Sequence, residues 1–332
     1  MQLGAVVVVP SDAGLTQNFV PSSLAVTATR SKPRPAICSP RASILGNDAL
    51  SFWADRVRTL GIKDFWLART SQDSQALHAR FLELTKQGVE KLLLIKLQSY
   101  AEMDLMDLLR FHCANRSPLT DAKDKRGSLG VSLLDRSAVS DCIESDASDK
   151  PCAAQYHFDG YTKRFLLSQE RQDLIRDGLA GICAIKPRGK LIRDGVWIAD
   201  DAKVDESVRI VGPAFIGPRS VIRSGATIGP FTSVEPDCVI DGGTTITKSS
   251  VLPGTYLAPG ILVEESVVSG KYLEDLRWGV HVDLAPARLA RRISARSRWA
   301  HKLRSTPSEV SQDYVPSHST SGGAPSWVRV NL

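Results

Sequence analysis

The sequence predicts two folds in series: an α/β head with a mainly parallel, Rossmann-like sheet, then an all-β parallel solenoid of about four coils. Three observations predict it. Strand-like and helix-spaced segments alternate through the first half. An aliphatic residue recurs at every sixth position from Ile192 to Ile246. Glycine, proline and charged residues fill the positions between those aliphatics, as the corners of a coil require.

In chain order, Leu3–Val9 is a β-branched run and reads as the first strand. Asp48–Thr59 has helical spacing, with Leu50, Trp53, Ala54 and Val57 on one face. Gly61–Thr70 reads as a turn and a strand, and Ser74–Gln87 as a second helix with Leu77, Phe81, Leu82 and Leu84 apolar. Leu92–Leu97 is a further strand and Asp104–His112 a third helix. Strands alternating with helices imply a mainly parallel sheet. The segment 135–155 is rich in Ser, Asp and Ala without periodicity and is expected to be a mobile loop. The expected divisions are a head over 1–185, a solenoid over 186–270 and a basic tail over 271–332.

The solenoid anchors are Ile192, Ile198, Val204, Ile210, Ile216, Ile222, Ile228, Val234, Ile240 and Ile246, resuming after a one-residue slip at Val251, Leu257 and Val263. Four positions after each anchor lies a small or β-branched residue, such as Ala202, Ala214, Ala226, Thr232 and Cys238. A period of six matches neither a helix at 3.6 nor plain strand alternation at 2. It suits a prism in which each hexapeptide makes one flat face and stacked coils pair as parallel strands about 4.8 Å apart.

Composition narrows the function classes. The net charge of +6 is modest, and no apolar run is long enough to span a bilayer. Six cysteines without a CxxC pair argue against a zinc ribbon or a disulfide scaffold and suit a reducing compartment. The expected location is cytoplasmic, open to peripheral attachment at the inner membrane face. Pro286–Arg304 carries seven basic residues and no acid, and reads as a helix. It is open to two roles: capping the solenoid edge or lying on an anionic membrane surface. No nucleic-acid motif accompanies the charge, so nucleic acid is not an expected partner. Ser305–Leu332 reads as disordered.

A resemblance sharpens these expectations. The repeat resembles the left-handed parallel β-helix of hexapeptide-repeat proteins. In the head, "ILGNDALSFWADRVRTLGIKDFWLA" and "LLLIKLQSYAEMDLMDLLRFH" resemble the sugar-nucleotide pyrophosphorylases, that is, sugar-phosphate nucleotidyltransferases. "FDGYTKRFLLSQERQDLIRDGLAG" is similar to the connector that precedes the β-helix in that family. The family joins a sugar 1-phosphate to a nucleoside triphosphate and releases pyrophosphate. Its head uses a glycine-rich loop with an arginine, a signature lysine, and two aspartates that hold Mg²⁺.

This chain departs from that pattern at each point. After Val9 it reads "PSDAGLTQNFVPSS", with one glycine and no arginine before Arg30. The signature lysine aligns with Ser39, the first metal aspartate with Gln98, and the second with Arg164. A neutral amide is a poor Mg²⁺ ligand and a guanidinium is none. The resemblance therefore implies a degenerate catalytic head. Lys96, Gln98, Arg164 and Ser39 are its candidate ligand-binding residues for a nucleotide or sugar phosphate, and no metal site is expected. The role implied is regulatory or scaffolding, in nucleotide-sugar or surface-polysaccharide metabolism, with homo- or hetero-oligomers formed through the β-helix. Two alternatives remain open. One is an active nucleotidyltransferase with altered metal ligands drawn from Glu102, Asp104 and Asp159, and Mg²⁺ is expected as cofactor only then. The other is a hexapeptide acyltransferase using His281 or His157, since 192–268 holds no histidine.

Overall fold

A computed structural model describes residues 3–9, 43–62, 64–69, 82–138, 154–165, 167–284, 290–292 and 327–331. The predicted first strand is β1 (Leu3–Val9). The first helix, α1 (Ala49–Thr59), begins where Asp48 accepts a hydrogen bond from the Ser51 amide at 2.5 Å, an N-cap. It buries Ala49, Trp53, Ala54 and Val57, the stripe that the spacing predicts. Strand β2 (Asp64–Arg69) follows. Of the second predicted helix, residues 82–86 are described and helical; Leu84 is buried, whereas Leu82 is exposed.

Strand β3 (Lys91–Lys96) runs into a short β4 (Ser99–Ala101). Helix α2 (Leu105–Asn115) is capped by Asp104, which accepts from the Met106 amide at 2.8 Å, and buries Leu105, Leu108, Leu109 and His112. A hairpin of β5 (Leu119–Asp124) and β6 (Gly127–Asp135), then β7 (Ala154–His157), β8 (Thr162–Arg164) and α3 (Ser168–Leu179), complete the head and connector.

The head sheet is mixed. β1 pairs in parallel with β2 and β3, and β5 with β7, while β6 runs antiparallel to both β3 and β5. Within the expected mobile loop, Asp135 ends β6, 136–138 form a 3-10 turn and Ala154 opens β7. The interior 139–153 lies outside the described residues.

The hairpin strand β9 (Lys190–Arg193) folds back on β10 (Val196–Ile198). Ile192 is therefore not an inward anchor: the turn at 194–195 reverses the chain, and its side chain is 60% exposed. The coil strands then follow the predicted period. They are β11 (Lys203–Val204), β12 (Arg209–Ile210), β13 (Ala214–Ile216), β14 (Val221–Ile222), β15 (Thr227–Ile228) and β16 (Thr232–Val234). Next are β17 (Val239–Ile240), β18 (Thr245–Thr247), β19 (Ser250–Val251), β20 (Thr255–Leu257), β21 (Leu262–Glu264) and β22 (Ser266–Ser269).

Their registers stack the anchors into three ladders: Ile198–Ile216–Val234–Val251–Val268, Val204–Ile222–Ile240–Leu257 and Ile210–Ile228–Ile246–Val263. Anchors from Ile216 onward are at most 1% exposed. The stack is a parallel β-solenoid of about four turns, as expected of a left-handed β-helix. The one-residue slip falls at Lys248, a left-handed corner with φ 48°, and it recurs at Glu265 with φ 44°.

Strands β23 (Tyr272–Asp275) and β24 (Val280–Asp283) extend one solenoid face antiparallel at its far end. The basic segment expected as a helix contributes instead β25 (Ala290–Arg292), antiparallel to β20, with Ala290 fully buried in the solenoid core. An open coil end offers unpaired backbone groups that a strand satisfies and an isolated helix would not. The rest of 286–304 lies outside the described residues. The tail expected to be disordered supplies β26 (Trp327–Asn331), antiparallel to β2 at the edge of the head sheet.

Head and solenoid share a polar junction. Glu235 is fully buried on the solenoid and accepts from Ser43 Oγ at 2.6 Å, the Leu45 amide at 2.8 Å, the Gly46 amide at 3.1 Å and Ser233 Oγ at 2.5 Å. Helix α3 adds Gln172, which donates to the Phe231 carbonyl at 3.1 Å and accepts from Ser250 Oγ. Phe215 of β13 packs into the same apolar cluster as Trp53 and Leu45 of the head.

Candidate functional site: the end of strand β3

In an open α/β sheet, ligands bind beyond the carboxyl ends of the parallel strands. Here that place is the turn Lys96–Gln98. The Gln98 amide donates to the Lys96 carbonyl at 2.7 Å, and Leu97 is buried at 1% exposure as an apolar anchor. β6 approaches this turn closely. Gly130 lies at φ +72°, and a Cβ there would stand 3.0 Å from the Lys96 carbonyl oxygen and 3.3 Å from Gln98 Oε1. Glycine is what allows the approach.

β4 then crosses the sheet end. Ser99 Oγ donates to the Leu129 carbonyl at 2.5 Å, and Trp53 Nε1 donates to the Ser99 carbonyl at 3.3 Å. β4 pairs with β8, Ser99 opposite Arg164, and the Phe165 amide donates to the Gln98 carbonyl at 2.9 Å. Gln98 and Arg164, far apart in sequence, are thus placed on adjoining strand ends.

Arg164 donates from Nη2 to Asp124 Oδ1 at 2.7 Å and to the Gly127 carbonyl at 3.3 Å, while its buried Nη1 has no hydrogen-bond partner. Asp124 also accepts from Thr162 Oγ1 and the Arg126 amide, both at 2.9 Å. Burial pushes the Asp124 carboxyl up, but those hydrogen bonds and the two arginines outweigh it and hold its pKa below the usual carboxylate value.

A second acid is not among the residues the sequence singles out. Asp121 on β5 is 1% exposed, accepts from Ser128 Oγ at 3.0 Å and Ser132 Oγ at 2.9 Å, and has no hydrogen-bond partner at Oδ2. Burial raises its pKa, opposed by the two hydroxyls and by the charges of Lys123 and Lys96. The signal available in sequence is an acid inside the otherwise buried strand Leu119–Ala122.

Two of the alternative acids have partners within the fold. Glu102 accepts from Tyr100 Oη at 2.7 Å and from the Ala184 amide at 2.5 Å, joining the sheet end to the connector. Asp104 is the cap of α2. Asp159 lies exposed in the loop after β7, and His157 is exposed on β7 itself. His281 stands on β24, with Nε2 3.7 Å from Glu274 Oε2, on the solenoid rather than in the head. Ser39 lies outside the described residues, as do the first-strand loop and Arg30.

The described residues at the sheet end do not fit Mg²⁺, a hard cation that takes anionic and neutral oxygens. Gln98 is neutral, and Arg164 brings a positive charge already matched by Asp124. Among the described residues no group of three or more His, Cys, Asp or Glu could hold a metal ion, and no helix is long and apolar enough to cross a membrane. Among those same residues Cys113, Cys183 and Cys238 are free thiols.

No protein-family model matches the chain. A UTP–glucose-1-phosphate uridylyltransferase of Synechocystis sp. is 27% identical over 99 residues, covering 30% of this chain and 25% of the relative. The bifunctional protein GlmU of Bifidobacterium longum is 28% identical over 102 residues, covering 25% of this chain and 22% of the relative. The chain thus spans about a quarter of the length of these curated relatives. It is a distant, partial relative of sugar-phosphate nucleotidyltransferases, carrying a β-solenoid behind its α/β head.

Proposed function

We propose that the head is a nucleotidyltransferase-like module that binds a nucleotide or a sugar phosphate at the end of β3 without transferring it by metal-dependent chemistry. Its work is regulatory or scaffolding, in nucleotide-sugar or surface-polysaccharide metabolism in the cytoplasm. One observation carries the reading. Gln98, in the turn that follows Lys96, and Arg164, at the end of β8, stand where the resemblance expects two magnesium aspartates, and the pairing of β4 with β8 brings their backbones together. That arrangement offers a phosphate an amide, the Lys96 charge and the unpartnered Nη1 of an Arg164 whose Nη2 is held by Asp124, in place of a metal bridge. A lysine binds phosphate as a point charge and an arginine as a fork.

The test uses UTP and glucose 1-phosphate, the compounds in the name of one relative. Pure protein with Mg²⁺ and both compounds is assayed for pyrophosphate, and its melting temperature is read with each compound alone. A ligand at about 100 times its Kd stabilises by about 2.7 kcal/mol. The expected result is no pyrophosphate and a rise in melting temperature that Lys96→Ala abolishes. Pyrophosphate release lost in Glu102→Gln would instead establish an active transferase. No shift with any nucleotide or sugar phosphate would remove the binding role.

A further inference from the structure

Among the described residues, one buried carboxylate oxygen has no hydrogen-bond partner, Oδ2 of Asp121. A buried polar atom left unpaired in a folded protein calls for an explanation. Its surroundings supply one.

The other oxygen of Asp121 spans a bulge. On β5, Ala122 alone separates Asp121 from Lys123, whereas Leu129, Gly130 and Val131 separate their partners Ser128 and Ser132 on β6. The extra residues of β6 leave the ladder, as those of a bulge do. Asp121 Oδ1 accepts from the hydroxyls on both sides of them, Ser128 at 3.0 Å and Ser132 at 2.9 Å. Ser128 Oγ in turn accepts from the Gly130 amide at 3.1 Å. One carboxylate oxygen thus fixes both feet of the bulge and, through Ser128, its crest. The crest is Gly130, the residue that packs on the Lys96 carbonyl and Gln98 Oε1.

The same carboxyl shares a sheet face with Lys96. Ser132 pairs with both Asp121 and Leu94, so these three side chains leave the sheet on one side. Lys96, two residues beyond Leu94 on β3, leaves it on that side too. On the far flank, β7 sets Gln155 opposite Asp121 and His157 opposite Lys123. Burial raises the Asp121 pKa. The two serine hydroxyls and the charges of Lys123 and Lys96 oppose the rise without cancelling it. An anion held at Lys96 adds negative charge on this face and favours the protonated acid further. A proton on Oδ2 leaves Oδ1 still accepting from both serines, so neutralising the acid does not release the bulge.

On the reading that this site binds a nucleotide or sugar phosphate, we infer that Asp121 is its positioning residue, pinning the β6 bulge against the Lys96–Gln98 turn and taking up a proton from solvent at Oδ2 as the anion binds. The complex then holds more protons than the free protein. Affinity therefore rises as pH falls through the carboxyl's pKa in the complex, and levels off below its pKa in the free protein.

Calorimetric titration of the full chain with UTP and with glucose 1-phosphate, from about pH 8 down to about pH 5, tests this. Asp121→Asn keeps an acceptor for both serines and has no charge to lose. It should bind more tightly than the wild type at about pH 8. The two should converge on acidification, by at most about tenfold per pH unit. The ionisations of the ligand and of His157 are common to both proteins, so the difference in slope belongs to Asp121. Asp121→Ala lacks charge and acceptor alike, and should bind about tenfold more weakly than Asp121→Asn at every pH. If circular dichroism shows that Asp121→Ala does not fold, Ser128→Ala, which cuts the link to Gly130 and leaves the acid in place, should weaken binding relative to the wild type instead. Parallel pH profiles for the wild type and Asp121→Asn overturn the inference and leave the binding site standing. So does binding by Asp121→Ala, or by Ser128→Ala in its place, that is undiminished. A wild type that binds neither compound at any pH removes the binding role and this inference with it.

Discussion

At the scale of single residues, His112 shows how a side chain that looks chemical is used for structure. Its Nδ1 lies 2.8 Å from Thr120 Oγ1 and its Nε2 3.0 Å from Asp135 Oδ1, with Lys91 on the same carboxylate. The hydroxyl–imidazole–carboxylate order is that of a nucleophilic triad, but Thr120 is fully buried and no substrate reaches it. Burial lowers the His112 pKa, and the Asp135 hydrogen bond only partly opposes this against the nearby Lys91 charge. The unfolded imidazole therefore takes up a proton at a higher pH than the folded one. The neutral form's stability is complete above the unfolded value, about 6.5, and is lost as pH falls below it. The melting temperature should drop between about pH 7.5 and about pH 5.5, and less steeply in His112→Gln. An unchanged slope in that variant would mean that His112 does not carry the effect. The histidine's place on the buried face of α2 is legible from helical spacing. Its partners are not, because Thr120 and Asp135 reach it only when the β5–β6 hairpin packs against α2, which helical spacing does not reveal. The same holds for Asp121, whose burial rests on Ser128 and Ser132 across that hairpin.

At the scale of elements, the hexapeptide period leaves little to discover, because each anchor both repeats in sequence and stacks in space. Departures come where a neighbour outside the repeat decides the structure. Ile192 keeps the spacing but sits on the reversed strand β9, and the basic segment supplies a strand where an open coil edge needs partners. The coils also depend on a spacing the period does not reveal. Gly229 has φ +100°, and a Cβ there would stand 1.8 Å from the Val211 carbonyl oxygen of the preceding coil. No side chain can rotate away from that contact, because it is made by the Cβ itself. Gly229→Ala should therefore push two coils apart and cost on the order of 3 kcal/mol, read as a fall in the denaturation midpoint. A nearby corner tests the specificity. Gly243 is also at positive φ, but a Cβ there would meet only the Gly260 amide nitrogen, at 4.0 Å. Gly243→Ala should cost only backbone strain, about 1 kcal/mol.

At the scale of the whole molecule, the junction makes one unit of two architectures. Glu235 is a solenoid residue whose carboxylate is satisfied mainly by the head segment 43–46, which leads directly into α1. Nothing in the sequence marks it, since it occupies an ordinary turn position after the anchor Val234 and its partners in the head lie about 190 residues away. A buried carboxylate is costly unless hydrogen-bonded, and one that accepts four donors is favourable only while head and solenoid stay docked. Glu235→Ala removes the acceptor of the buried Leu45 amide and Ser233 hydroxyl and of the partly buried Gly46 amide and Ser43 hydroxyl. The loss should be about 3–5 kcal/mol, and it should fall unequally on the two parts. The solenoid keeps its ladders, whereas the head loses the contact that holds the start of α1. Scanning calorimetry should show the wild-type head and solenoid melting together and the variant's head melting first, with a second transition for the solenoid. Glu235→Gln, which keeps an acceptor oxygen, should shift the melt by less and keep it single. If Glu235→Ala melts as a single transition at the wild-type temperature, the coupling resides in α3 and Phe215 instead, and Gln172→Ala becomes the substitution that separates the two.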